Sequence, residues 1–291
     1  MEGNVDTLYF SSLLPARHPV LWNKIGGAVR EKGIRHFLLD QTADIWARDY
    51  MPIQVGKDKW VLFGYQPGYL KGKYEDLRTD QEILIQALPI INGTSSCEIR
   101  MDGGNLIMLE RTAIVTDRIY RENKDRSRSI VRERIMEVLG LEKLIVIPHE
   151  PFDFTGHADG MIRFINPEKV FLADYRRNNP GLWKKLISIL GRNRIEVIPF
   201  PYCQSKLKNE NGDYTAIGCY INYLRAKALV VLPQYGLRED EKAANLIRLH
   251  LNIEPVLLNA TELAQEGGVF NCIHMGYSIG KVPKPNSTSS L

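Results

Sequence analysis

The sequence predicts a mixed α/β fold built from five repeated units that close around a common axis. One observation is a pattern of strand, turn, strand, helix and strand that recurs along the chain, with the fifth unit shared between the two chain ends. The other is that no linker or shift in composition separates the repeats, which favours one closed architecture over separate domains. We therefore predict a single domain over residues 1–280, followed by a flexible tail over residues 281–291.

The first complete unit begins near Arg48 and the second at Asp102. In each unit two strands flank a short turn, a helix follows, and a further strand ends the unit. Gly140 comes directly after the second helical pattern and favours its termination there. The predicted elements are strands 48–55 and 60–65, helix 74–88 and strand 97–101, then strands 105–109 and 113–117, helix 127–139 and strand 143–147.

The remaining units follow the same order, and the chain ends combine to form the fifth. Pro180 suits the first turn of the third helix. The predicted elements of the third and fourth units are strands 160–165 and 169–175, helix 180–190 and strand 195–200, then strands 214–224 and 228–234, helix 240–251 and strand 255–258. The fifth unit combines a strand-like run around Cys272 with strand 8–14, helix 18–32 and strand 35–40.

The composition is typical of a soluble globular protein, with 44% apolar and 25% charged residues among 291. The net charge of +4 is mild and evenly spread, which argues against a nucleic-acid partner. No apolar stretch is long enough for a membrane span, and the first residues lack the pattern of a signal peptide. The four cysteines lie far apart without a CxxC spacing, which predicts neither a disulfide framework nor a zinc site. We expect a cytoplasmic protein.

Reactive side chains fall at the openings of the repeated units: Asp49, Asp102, His157 with Asp159, and Cys272. If the units close around an axis, these positions converge in one pocket. A thiolate is a strong nucleophile, and a histidine titrates in the range needed to transfer protons. Carboxylates buried together require a cation, and the planar guanidinium is the cation that carboxylates bind best. This combination suggests a cationic guanidine substrate that Cys272 attacks at carbon.

Each of these residues also has a structural explanation when it is taken alone. Asp49 could pair with the adjacent Arg48, Asp102 could occupy a turn, and His157 could be a satisfied buried histidine. The shared placement across units is what favours a functional site. A metal site made of His157, Asp159, Cys272 and His274 is a further alternative. In a strand, His274 would share a face with Cys272, two residues away, which gives only a weak ligand pair.

Four motifs together resemble those of the agmatine deiminase and bacterial-type peptidylarginine deiminase family, which belongs to the guanidino-group-modifying enzymes. The resemblance runs in order from about residue 40 to residue 276. Tyr220-Ile221-Asn222 is a supporting piece. The motifs are Trp46-Ala47-Arg48-Asp49, Asp102-Gly103-Gly104, Gly156-His157-Ala158-Asp159, and Gly267-Gly268 through Cys272.

The resemblance implies the pentein fold, a five-bladed α/β propeller of ββαβ-type repeats around a pseudo-fivefold axis. It also implies a hydrolase acting on the C–N bonds of linear amidines, which converts a guanidine to a ureido product and ammonia. The implied reaction passes through a covalent thiouronium on Cys272 and uses no metal or other cofactor. The implied partner is a small guanidino substrate, and a homodimer is compatible with the sequence.

The same resemblance assigns roles to individual residues. Cys272 would be the nucleophile and His157 the general acid and base. Asp49 and Asp159 would hold the guanidinium nitrogens, whereas Asp102 would bind the guanidinium or orient His157. Trp46 would pack along the methylene chain of the substrate. The residues assigned to substrate binding are Trp46, Asn222, Arg48, Gly268 and Asn271.

Two positions depart from the family pattern. The family usually has glutamate where this chain has Asp102, and histidine where it has Asn271. The choice among agmatine, arginine and arginine derivatives therefore stays open. A substrate carboxylate at the far end would call for an arginine, and the candidates are Arg163, Arg176, Arg177 and Arg225. Two other functions are compatible with the pattern: an amidinotransferase of the same fold, and a non-catalytic guanidine-binding or scaffold protein.

Overall fold

A computed structural model describes residues 4–70, 72–88 and 90–279. The predicted tail over residues 281–291 lies outside this range, as does the last residue of the predicted domain. The described residues form five sheets of three strands each. In every sheet the central strand pairs antiparallel with one neighbour and parallel with the other. The predicted fivefold repeat of an α/β unit is confirmed.

The N-terminal segment supplies two strands of one sheet and the helices between them. Pro19 begins the longer helix, where its missing N–H costs no hydrogen bond. The elements are β1 (Thr7–Ser11), α1 (Leu13–Arg17), α2 (Pro19–Glu31) and β2 (Arg35–Leu39), followed by the single-turn helix α3 (Ala47–Tyr50).

Two complete sheets follow along the chain. The first consists of β3 (Ile53–Gly56), β4 (Lys59–Gly64) and β5 (Thr94–Arg100), with a 3-10 helix (Gly72–Leu77) and α4 (Gln81–Gln86) before its last strand. The second consists of β6 (Leu106–Leu109), β7 (Thr112–Thr116) and β8 (Lys143–Ile147), with α5 (Arg118–Glu122) and α6 (Arg128–Leu139). Ser127 caps α6 by accepting from Ile130 N, and Gly140 ends it in the left-handed conformation with φ +63°.

Two further sheets and the closing strand complete the ring. The third sheet is β9 (Ile162–Asn166), β10 (Lys169–Ala173) and β11 (Glu196–Phe200), with α7 (Pro180–Arg192). The fourth is β12 (Leu224–Ala226), β13 (Leu229–Gln234) and β14 (Val256–Asn259), with α8 (Glu239–Leu251). After α9 (Thr261–Gln265), β15 (His274–Tyr277) pairs antiparallel with β1, which joins the two ends of the chain in the fifth sheet.

The helices pack on the sheets through apolar side chains at helical spacing. In α7, Leu182, Leu186 and Leu190 are buried on one face, and the helix lies against β11. Burial of each such leucine contributes about 1.5–3 kcal/mol relative to exposure. Strands of successive sheets also meet, as β6 and β9 do. Because the sheets contact each other in sequence, the turns that enter their first strands come together at one end of the molecule.

Three element predictions are wrong. Residues 48–55 do not form one strand, because Arg48 N donates to Cys272 O (3.0 Å) and Asp49 N to Trp46 O (3.0 Å), which holds this segment in α3. Helix 74–88 is divided at Asp80, whose carboxylate caps α4 by accepting from Glu82 N and Ile83 N. The third error is the strand at 214–224, where only Leu224 is in a strand, since Ala216 N donates to Ala264 O (2.8 Å) instead of to a neighbouring strand.

Cys272 also differs from its predicted placement in a strand. It lies on a turn, where its N–H donates to Val269 O (3.2 Å), and β15 begins two residues later. The turn leaves the side chain of Cys272 at the open end of the sheet, facing the residues described next.

Candidate active site

The turns that enter the first strands of the sheets surround a cavity of about 1160 Å³. Asp49, His157, Asp159, Asn222 and Cys272 all line it, although they are separated by up to 223 positions in the sequence (272 − 49). Trp46 and Gly268 line it as well. The structure therefore brings together residues that the sequence places at the openings of different units. Asp102 lies behind His157 and is not among the lining residues.

His157 lies between two carboxylates and is almost fully buried, with 3% of its surface exposed. Its Nε2 is 2.9 Å from Asp102 Oδ2, and its Nδ1 is 3.6 Å from Asp49 Oδ1. Burial alone would lower the pKa of the imidazole, but the two aspartates outweigh it and raise this pKa to about 10. His157 is consequently an imidazolium at neutral pH and can act as an acid.

Gly104 makes this arrangement possible. A Cβ atom at that position would lie 2.6 Å from His157 Nδ1 and 2.7 Å from Asp49 Oδ1, which no side chain can occupy. In place of a side chain, Gly104 contributes its N–H, which donates to Asp49 Oδ1 (3.1 Å). The second glycine after Asp102 therefore serves close packing of the histidine and the aspartate.

Asp49 is surrounded by acidic groups. Burial raises the pKa of its carboxyl, His157 lowers it, and Asp102 and Asp159 raise it again, with a net pKa of about 8. A cation entering the cavity next to Asp49 would favour the ionised form and lower this pKa. The site is thus short of positive charge and is suited to a cationic ligand.

Cys272 lies among hydrogen-bond acceptors. Its Sγ is 3.3 Å from Asn222 Oδ1 and 3.7 Å from Asp159 Oδ2. Burial raises the pKa of this thiol well above its ordinary value, and the carboxylates of Asp159 and Asp49 raise it further. Without a cationic ligand Cys272 is a protonated thiol.

Asp159 is held from behind by two residues that the sequence assigned to substrate binding. Asn271 Nδ2 donates to Asp159 Oδ2 (2.7 Å), and Arg48 Nη2 donates to Asn271 Oδ1 (2.7 Å). Asn222 Oδ1 accepts from Asn271 N (3.1 Å), which fixes the same turn. Neither Arg48 nor Asn271 lines the cavity. The geometry favours a positioning role for both, in place of direct contact with a ligand.

Gly268 and Trp46 form one wall of the cavity. A Cβ at Gly268 would lie 2.5 Å from the Trp46 ring, so the ring occupies the space that a side chain would need. The six-membered ring of the indole is thereby packed against the backbone at Gly268, and Trp46 also lines the cavity, where it could contact a methylene chain. The geometry is compatible with the predicted role of both residues.

The four candidate arginines for the far end of a substrate do not line the cavity. Arg163 Nη1 donates to Tyr223 O (2.9 Å), and Arg225 Nη1 donates to Phe164 O (3.5 Å). Arg176 and Arg177 line a different cleft. The basic side chains among the described lining residues, apart from the histidines, are Arg17 and Lys208, which the sequence did not single out.

His274 is separated from the other residues of the alternative metal site. Its Nδ1 lies 2.8 Å from Phe270 O, and its ring centroid is 6.0 Å from that of Phe10. It does not line the cavity with Cys272. Over the described ranges, no group of three or more histidine, cysteine, aspartate or glutamate side chains is arranged to hold a metal ion.

Tyr69 is a site residue that sequence reasoning missed. Its hydroxyl donates to Asp102 Oδ2 (3.1 Å), and its ring centroid is 6.1 Å from that of His157. The guanidinium of Arg118 lies 5.6 Å above its ring. The sequence around Tyr69 carries no motif, so only the fold reveals that it supports the Asp102–His157 pair.

We expect Tyr69→Phe to lower kcat by about 3- to 10-fold, the size of one typical hydrogen bond. Without the hydroxyl, the Asp102 carboxylate loses one hydrogen bond and should interact more strongly with the His157 imidazolium, which raises the pKa of His157. The pH profile of kcat should therefore move to higher pH. Steady-state kinetics over a pH series measure both effects. Tyr214→Phe, at another lining tyrosine, serves as the control. A lower kcat with an unmoved pH profile would contradict the assignment.

The five-sheet architecture, with a cysteine, a histidine and carboxylates at one end, defines a pentein-fold protein. Solved structures support the fold. Agmatine deiminase of C. jejuni is similar to the chain with a TM-score of 0.74 and 17% identity, covering 94% of this chain and 93% of that one. The agmatine deiminase of Enterococcus faecalis is similar to the chain with a TM-score of 0.70 and 16% identity, covering 94% of this chain and 93% of that one.

Sequence comparison identifies the family. The model of the Porphyromonas-type peptidyl-arginine deiminase family matches residues 21–277. The chain therefore belongs to this family. Among curated relatives, the agmatine deiminase of Stutzerimonas stutzeri is 24% identical over 273 residues, which covers 79% of this chain and 73% of the relative. Both the predicted family and the predicted pentein fold are confirmed. No helix within the described ranges is long and apolar enough to cross a membrane.

Proposed function

We propose that the protein is a hydrolytic deiminase that converts a guanidine substrate to a ureido product and ammonia. One observation carries the proposal: the Cys272 thiol faces a cavity lined by the carboxylates of Asp49 and Asp159, and the His157 imidazolium between Asp49 and Asp102 offsets only part of their negative charge. The family membership and the agmatine deiminases among the relatives support the same reaction class.

Asp49 and Asp159 are the residues that would hold the guanidinium. Both carboxylates line the cavity, and each can accept N–H bonds from the planar cation. Asp159 is fixed by Asn271 and Asp49 by Gly104 N, so both acceptors are in place before the substrate arrives. Trp46 would cover the aliphatic part of the substrate.

Substrate binding would also activate the nucleophile. The Cys272 thiol is kept protonated by burial and by the negative charge of Asp159 and Asp49. A guanidinium bound between these aspartates neutralises that charge and adds a cation beside Sγ, which lowers the pKa of the thiol. The thiolate therefore forms in the presence of a cationic substrate, and the empty enzyme is protected from adventitious oxidation.

The chemical steps follow from these positions. When the guanidinium binds, the Cys272 thiol releases its proton to solvent, and its Sγ then forms a bond to the guanidinium carbon while the C=N π bond opens, which gives a neutral tetrahedral adduct. The C–N bond to a terminal nitrogen then breaks while His157 supplies the proton for departing ammonia, which leaves a thiouronium on Cys272. His157, now neutral, takes a proton from water as the water oxygen attacks the same carbon. The C–S bond breaks, the ureido product leaves, and the thiol is restored.

A colorimetric screen for ureido product tests the proposal directly. The substrates should include agmatine, free arginine, an arginyl peptide and a small alkylguanidine, and EDTA should be present throughout. We expect release of ureido product and ammonia from at least one guanidine without an added amine. Failure to turn over any guanidine would refute the proposal, and turnover that needs an acceptor amine would indicate an amidinotransferase.

Asp159→Asn tests whether Asp159 acts through its charge. The substitution keeps the shape of the side chain and removes the negative charge, so turnover should fall by about 10²- to 10³-fold, as for loss of one electrostatic contact to the reacting group. The melting temperature should not fall, because one of several repelling buried charges is removed. A large loss of melting temperature would instead indicate a structural role.

A further inference from the structure

An arginine behind the cavity wall, Arg118, contacts two structures that support His157. Its Nη1 donates to Phe154 O (2.9 Å), and its guanidinium carbon lies 5.6 Å from the centroid of the Tyr69 ring. Phe154 lies on the turn that leads to His157. Tyr69 donates to Asp102 Oδ2 (3.1 Å), the atom that lies 2.9 Å from His157 Nε2. Arg118 therefore joins the turn that carries the histidine to the carboxylate that pairs with it.

The turn before the histidine is fitted to the side chain of Arg118. Gly156 has a left-handed φ of +62°, and a Cβ atom there would lie only 3.1 Å from Arg118 Cδ. Its carbonyl accepts from Thr116 Oγ1 (2.8 Å), which fixes the turn from the other side. The ring of Phe154 takes the space beside Gly267, where a Cβ would lie 2.9 Å from Phe154 Cε1. The segment held by Arg118 thus also contacts the loop that leads to the nucleophile.

Glu122 is the counter-ion of Arg118, one turn further along α5. Its Oε1 accepts from Arg118 Nε (3.2 Å), and only 8% of its side chain is exposed. Burial raises the pKa of the Glu122 carboxyl, and the Asp102 carboxylate raises it further. Arg118 and His157 lower it, with a net pKa of about 7. Because such interactions are reciprocal, an ionised Glu122 favours the protonated form of His157.

We propose that Arg118, with Glu122 as its counter-ion, is a positioning residue for the general acid, because it holds the His157 turn and the Tyr69 ring in one arrangement. This inference rests on the proposed function, since it assigns further residues to the proton transfer by His157. Neither Arg118 nor Glu122 is among the described residues that line the cavity. Substitutions at both positions should therefore change kcat more than KM.

The opposite charges of the pair predict opposite effects on His157. Loss of the guanidinium removes a positive charge and loosens Tyr69, so Arg118→Met should raise the pKa of His157. Glu122→Gln keeps an acceptor for Arg118 and removes a negative charge, so it should lower this pKa. Glu122 is ionised near pH 10, where His157 titrates, and each change should be about 0.5–1 pH unit. The charged or titratable groups around His157 and Glu122 are Asp49, Asp102, Asp159, Arg118 and Tyr69.

An NMR titration of the protein labelled with ¹⁵N-histidine measures the pKa of His157, and steady-state kinetics over a pH series measure kcat. We expect kcat at neutral pH to fall about 10-fold in Arg118→Met, as for loss of one hydrogen bond and the position it fixes. Arg118→Lys keeps a cation without the planar fork that reaches both Glu122 and Phe154, so it should restore part of this loss. Arg134→Met and Glu137→Gln, at an exposed ion pair on α6, are the matched controls and should leave both measurements unchanged.

The titration separates this inference from the proposed function, because it needs no turnover. Opposite changes in the pKa of His157 in Arg118→Met and Glu122→Gln would support the inference, whether or not the wild type converts any guanidine. Changes of the same sign, an unmoved pKa in both variants, or an equal effect of the control variants would overturn it. If Arg118→Met does not fold, a lower pKa in Glu122→Gln with a lower kcat in Arg118→Lys would support it, and an unmoved pKa in Glu122→Gln would overturn it.

Discussion

Cys272→Ala should abolish turnover of every guanidine, with kcat reduced by at least about 10⁴-fold, because the variant lacks the thiol beside Asp159 that forms the bond to the guanidinium carbon. Cys272 lies between Asn222 and Asp159 at the cavity wall, which gives its sulfur access to a cation held by Asp159. The measurement is ammonia release at saturating substrate. The variant should keep its melting temperature, because a single partly exposed sulfur is removed.

Cys219 provides the matched control for that experiment. It also lines the cavity, and its thiol pKa is also raised by burial, but its Sγ donates to Gly160 O (3.6 Å). Cys219→Ala should therefore retain activity of the same order as the wild type. Equal losses in the two variants would mean that the cavity is sensitive to any lost thiol, and residual turnover in Cys272→Ala would exclude the proposed nucleophile.

His157→Ala should lower kcat by about 10²- to 10⁴-fold at neutral pH, the usual contribution of a general acid and base. The departing ammonia would lose its proton donor, and the attacking water would lose its base. Single-turnover experiments separate the two steps, since either can then limit the rate. Activity close to the wild type in this variant would remove histidine from the mechanism.

The same variant has a defined effect on the pH dependence of stability. The pKa of His157 rises from 6.5 in the unfolded chain to about 10 in the folded one, so its contribution to stability is fully present below pH 6.5 and is lost as the pH rises through about 10. The difference in melting temperature between wild type and His157→Ala should therefore shrink as the pH increases over this interval. A difference that stays constant would mean that His157 is neutral in the folded protein.

Much of the fold could be predicted because its unit is local. Alternating strands, turns and helices repeat five times, and each element depends mainly on residues within its own unit. The errors occur where a distant segment decides the conformation. Arg48 lies in a helical turn instead of a strand because its N–H donates to Cys272 O, more than two hundred positions away. A local sequence pattern cannot predict a contact over that distance.

Among the site residues, too, those with a local signal could be predicted, whereas those that depend on distant contacts could not. Cys272, His157 and the three aspartates could be selected because each is reactive and opens a repeated unit. The structure adds how they are supported: Asn271 and Arg48 lie behind Asp159, and Asp102 reaches Nε2 of His157 at 2.9 Å despite being shorter than the glutamate usual in the family. Tyr69 could not be found in the sequence, because its role depends on a hydrogen bond to Asp102, which is 33 positions away.

The most direct test of the central claim is to stop the reaction with acid during turnover and to analyse the protein by mass spectrometry. We expect a covalent adduct with the mass of the substrate after loss of ammonia, located on the peptide that contains Cys272, and we expect Cys272→Ala to lack it. Ureido product formed without any such adduct, or an adduct found on Cys97, Cys203 or Cys219 instead, would contradict a covalent intermediate on Cys272.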